Sequence, residues 1–69
     1  MNWRIESYKT DVAEISPTDH QNIYTVKLID HMNNAVTSVE AYGREHRAEV
    51  TRAIIAKHGQ YITKIEHNE

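Results

Sequence analysis

Five histidines in 69 residues are the side chains of this chain most able to do chemistry, at positions 20, 31, 46, 58 and 67. A metal held on a helix needs ligands three or four residues apart, so that they share one face. His46 and His58 are twelve apart. Asp19-His20, Asp30-His31 and Glu66-His67 are adjacent pairs, and adjacent side chains on a strand point to opposite faces. No ligand set assembles from this spacing, so the histidines are expected in solvent or at a helix end, with no metal. Histidine titrates near neutrality and suits pH sensing, but no single one is marked out for it. Ser7, Ser16 and Ser38 lack a glycine-flanked elbow, and there is no cysteine to act as a nucleophile. Gly43 and Gly59 bracket one segment and form no phosphate loop. The pattern points away from an enzyme and from any cofactor.

Nucleic-acid binding rests on Arg44, Arg47, Arg52 and Lys57, with Trp3 and four tyrosines available to stack on bases. Against it, Glu45 and Glu49 stand at helical spacing from those arginines and would pair with them. Phosphate binding also needs a denser positive surface than a chain of net charge −2 supplies. The charge is unevenly spread. Residues 1–42 hold Arg4, Lys9 and Lys27 against Glu6, Asp11, Glu14, Asp19, Asp30 and Glu40, for −3. Residues 43–67 hold Arg44, Arg47, Arg52, Lys57 and Lys64 against Glu45, Glu49 and Glu66, for +2.

The elements that position these groups follow from periodicity. Residues 44–58 are predicted as the one helix, with Gly43 as N-cap and Gly59 as a left-handed stop. Glu45 in the first turn and Lys57 and His58 in the last suit the helix dipole. Val50, Ile54, Thr51, Ile55 and Ala48 fall in one apolar arc. Strands are predicted over about 3–15, 23–31, 35–41 and 60–66, the first bent or bulged midway. Ser16-Pro17-Thr18-Asp19 is a turn. Asn33-Asn34 as a two-residue hairpin turn would set Val26 against Ala41, Leu28 against Val39 and Lys27 against Glu40. The expected fold is α+β, β-β-β-α-β, a single domain with one helix across a mainly antiparallel sheet. The helix arc should lie on Val26, Leu28, Val39 and Ala41, with Tyr61 and Ile65 closing the end. A right-handed crossover sets the last strand parallel to the third, beside it or beside the first.

One helix covers one sheet face. In this register Ile23, Thr25, Lys27, Ile29 and His31 face away from it, beside Val36, Ser38, Glu40 and Tyr42, with Ala13 and Ile15 extending that face. Ile23, Ile29, Val36 and Tyr42 are therefore the expected partner-binding residues, since apolar patches rimmed by polar groups mark interaction sites. The alternative surface is the basic helix face of Arg44, Arg47, Arg52 and Lys57. A core this small gains from association, and a weak homodimer is expected either face to face through Ile23, Ile29 and Val36 or by edge pairing. No segment is apolar enough to span a membrane or to act as a leader, and the lack of cysteine fits a reducing cytosol.

The tail Gly59-Gln60-Tyr61-Ile62-Thr63-Lys64-Ile65, after a strand and one helix, resembles the ending of small β-β-α-β phage accessory proteins. The coliphage inhibitors of host RNA polymerase share its glycine, aromatic and apolar-Thr-basic-apolar order. The likeness runs over residues 23–66, and this chain departs from it by an extra N-terminal strand and a less acidic helix. It carries no functional residue across. It implies a class, namely short cytoplasmic proteins of phages or mobile elements that bind and block or modulate a host protein.

Overall fold

The computed structural model describes residues 2–68. Strands β1 (Trp3–Ser16), β2 (Asp19–Ile29) and β3 (Ala35–Tyr42) lead into helix α1 (Arg44–His58). One 3-10 turn (Gly59–Tyr61) and strand β4 (Ile62–Asn68) follow. The strands form one sheet in the order β3-β2-β1-β4. Both hairpin pairs are antiparallel, and β4 runs parallel to β1. The fold is thus β-β-β-α-β, and the last strand takes the place beside the first. β1 carries a bulge between Lys9 and Asp11, so it breaks regularity midway as its spacing implies.

The β2–β3 turn differs from the two-residue turn expected. Asp30 and Asn34 close a three-residue loop, with Asp30 N–H donating to Asn34 C=O (2.9 Å) and Asn33 N–H to Asp30 C=O (3.1 Å). The Asp30 carboxylate also accepts from the backbone of Met32 and Asn34. Asn33 takes the left-handed conformation, φ 67°, which asparagine tolerates. Asp30 at the loop's head stabilises the longer turn, because its side chain satisfies donors that a two-residue turn would not leave open. Pairing then runs Ile29 with Ala35, Leu28 with Thr37, Val26 with Val39 and Tyr24 with Ala41. The extra residue in β3 is Val36. The net displacement from the expected register is two residues, so Val26, Leu28, Val39 and Ala41 keep one face in common. Without the bulge, Ser38 would stand opposite Val26.

Ile5, Tyr24, Val26, Leu28 and Ala41 are fully buried and form the core with Ile54; Trp3, Val50 and Ile62 pack around them. α1 lies over β2 and β3. It buries Thr51 and Ile54 and leaves Ile55 at 38% exposure. The inward arc is therefore narrower than the apolar sequence arc. Thr51 is admitted because its hydroxyl donates to the Arg47 carbonyl (2.8 Å). Ile65 on edge strand β4 is 46% exposed and does not close the core, since the helix sits over the opposite half of the sheet. Tyr61 does close an end, its ring 4.8 Å from that of Trp3.

Gly43 is the N-cap, as expected, whereas Gly59 is not the left-handed stop. Gly43, the N-cap, has φ 88° and ψ 167°, a region essentially closed to other residues. This lets β3 turn directly into α1, with Gly43 N–H on Asn22 C=O (2.8 Å) and Arg47 N–H on Gly43 C=O (3.0 Å). Gly59 is right-handed (φ −55°, ψ −30°) and continues into the 3-10 turn, with no left-handed stop. Its lack of a side chain matters for space, because a Cβ there would lie 3.3 Å from Ile55 Cγ2.

Candidate interaction site

The sheet face away from the helix is charged and internally paired. Arg4 and Glu6 form an ion pair, and Lys64 lies 2.6 Å from Glu66. The Lys27 ammonium sits 5.5 Å from the Tyr8 ring centre, and the Tyr42 hydroxyl donates to Glu40 (3.1 Å). The titrations follow these contacts. The Lys64 hydrogen bond and charge hold Glu66 below the usual carboxylate range. The hydrogen bond to Tyr8 raises Lys27, and that to Glu40 raises Tyr42.

The four residues expected to form an apolar patch on this face do not assemble into one. Ile29 is only 8% exposed. Arg4, its partner across the strands, reaches over it to the Asn33 side-chain oxygen (2.7 Å). Ile23 is half-buried beside Tyr42. Tyr42 remains exposed, its ring stacked at 6.1 Å on His46. Val36 has left the face altogether. As the bulge residue it turns to the helix side and lines a groove between α1 and β3 with Val39, Val50, Ala53, Ile54 and Lys57.

The basic helix residues are also dispersed. Arg47 is half-buried with its guanidinium 4.5 Å from the Tyr24 ring centre. Arg44 borders a polar hollow at the N-terminus of α1, Lys57 borders the apolar groove, and Arg52 points to solvent. They do not present one positive stripe.

The histidines stand in separate contacts. His46 Nδ1 accepts the Tyr42 N–H (2.9 Å), His67 meets the Ser7 hydroxyl (2.5 Å), and the His58 ring lies 5.9 Å from that of Trp3. Among the described residues, no three metal-ligating side chains converge.

The most distinctive surface is one that apolar patterning missed. A 15-residue helix is about 22 Å long and a 14-residue strand about 46 Å. Gly43, where α1 begins, is bonded to Asn22, which pairs with Val12, so the β1–β2 hairpin projects about 15 Å beyond the helix start as a two-stranded arm, in keeping with the molecule's 45 × 20 × 15 Å extents. Residues 10–22 carry Asp11, Glu14 and Asp19 and neither lysine nor arginine. Val12 is 43% exposed and Ile15 60%. At the arm's base His20, Gln21 and Asn22 meet Tyr42, Arg44 and His46 around a hollow of about 560 Å³. The signal for the arm was present in the sequence as the mismatch between strand length and helix length.

No protein-family model matches the chain, and neither a curated protein nor a solved structure does.

Proposed function

We propose that this chain is a small interaction protein that binds another protein through its β1–β2 arm, without catalysis of its own. The observation that carries the reading is the arm itself. A two-stranded ribbon is marginally stable when nothing packs on it. This one bears two exposed aliphatic side chains among three carboxylates, so it suits a partner surface with an apolar cleft and a basic rim. The acidic arm and the scattered basic residues disfavour a nucleic-acid partner, whose phosphates would be repelled along the arm. An inhibitor or modulator of a host protein, in the manner of phage accessory proteins, is the biological setting that fits a chain of this size.

The test is affinity capture with wild type, with Val12→Lys/Ile15→Lys and with the helix-surface control Arg52→Glu, each with and without nuclease. The expected result is a nuclease-resistant protein partner retained by wild type and the control but lost by the arm variant, with unchanged circular dichroism. Equal capture by all three, or capture abolished by nuclease, overturns the reading.

A further inference from the structure

β3 is an edge strand of the sheet. Gly43 N–H bonds to Asn22 C=O, and the pairing continues from there in steps of two through Ala41–Tyr24 and Val39–Val26. In an antiparallel ladder such residues aim both backbone groups at their partner, and the residues between them aim both outward. Ser38, Glu40 and Tyr42 are the outward ones, on a strand with no further neighbour among the described residues. Tyr42 is closed off: its N–H goes to His46 Nδ1 (2.9 Å) and its carbonyl accepts from Gln21 (3.1 Å). The bulge at Val36 closes the other end. Between the two closures an open window remains at Ser38 and Glu40.

We infer that two copies join antiparallel at this window, about a two-fold axis through Val39. Ser38 then pairs with Glu40 of the other copy, twice by symmetry, and Val39 faces Val39. This register keeps Glu40 away from its own symmetry mate; the neighbouring register, centred on Glu40, would set two carboxylates together. The side chains agree with the backbone. Val39 and Val36 are 37% and 44% exposed on the helix side, where Val50, Ala53 and Ile54 border the same groove. A two-fold axis normal to the sheet sets the helices antiparallel on one side, with the small Ala53 near the axis. Glu49 and Lys57, each four residues from Ala53 and both exposed, are thereby brought opposite one another between copies. Backbone, apolar groove and charge are self-complementary in one register. The result is a continuous sheet built from two four-stranded halves, and the short window makes it a weak, concentration-dependent dimer. This inference does not rest on the arm, which lies beyond the interface.

The test is sedimentation of purified wild type over a range of concentrations, beside three variants. Ser38→Pro removes an N–H that the fold does not use, and proline is tolerated on an edge strand. It should keep the wild-type circular dichroism and remain monomeric. Lys57→Glu should weaken association at least about tenfold, and Glu49→Lys/Lys57→Glu should restore it by exchanging the charges. A wild type that stays monomeric throughout, a Ser38→Pro variant that still dimerises, or a double exchange that fails to restore association overturns the proposal.

Discussion

His67 is the residue whose environment most directly sets a measurable property. Its Nδ1 is within hydrogen-bond distance of the fully buried Ser7 hydroxyl. The residue is exposed overall, but partial desolvation of its ring, aided by the Arg47 charge, lowers its pKa below the ordinary histidine value. The Ser7 hydroxyl can donate to a neutral ring in the Nε2–H form, and this satisfies an oxygen that could not otherwise be buried cheaply. A histidine with a folded pKa below its unfolded one binds protons more readily when unfolded. Its contribution to stability is full above the unfolded value, about 6.5, and is lost as pH falls below it. Urea midpoints between about pH 7 and pH 5 should therefore drop further for wild type than for His67→Gln. Parallel curves for the two would remove His67 from the acid response.

At the scale of elements, the arm and the body of the same hairpin should behave differently. Around Tyr24, Val26 and Leu28 the ladder is covered by α1 and flanked by further strands, whereas residues 13–16 and 19–20 pair only with each other among the described residues. Backbone hydrogen bonds without packing above them open at low free energy. Hydrogen exchange should show the paired amides of residues 13–20 exchanging well ahead of those of residues 24–28, although both belong to one antiparallel pairing. Equal protection along the whole hairpin would mean that something already covers the arm. The β2–β3 hairpin carries the opposite lesson, since its turn and its bulge at Val36 together preserve the inward face.

For the whole molecule the core is small enough that single atoms count. Leu28 is fully buried and Ile54 nearly so, and the two belong to one core cluster between the sheet and α1. Truncating either to alanine should cost about 2–5 kcal/mol. That is comparable to the total stability of a domain this size, at roughly 0.05–0.15 kcal/mol per residue. Leu28→Ala and Ile54→Ala should each be largely unfolded at room temperature by circular dichroism, whereas Ile55→Ala, at a half-exposed position, should not be. An Ile54→Ala variant melting within a few degrees of wild type would place the core elsewhere.

What the amino-acid sequence determined by itself was the local and periodic part of the structure. Helix α1 over Arg44–His58, its start at Gly43, the number and order of the strands and the shared face of Val26, Leu28, Val39 and Ala41 follow from side-chain spacing and from which residues disfavour helix or strand, although β2 runs over Asp19–Ile29 where 23–31 was expected and β4 over Ile62–Asn68 where 60–66 was. The parallel last strand follows from the handedness of crossovers. The candidate surfaces were decided only by the tertiary structure. The Asp30 side chain, bonded to the Met32 and Asn34 backbone, fixes a three-residue loop, and the bulge that accompanies it turned Val36 from one face to the other. Ile29 is buried because Arg4, twenty-five residues away, can reach Asn33 across it. Gly59 is right-handed because the chain beyond it is drawn onto β1 through Trp3 and Tyr61. The turn is a local choice between two loop lengths, whereas the burial of Ile29 and the conformation of Gly59 turn on contacts between residues distant in sequence, which propensity and periodicity do not encode.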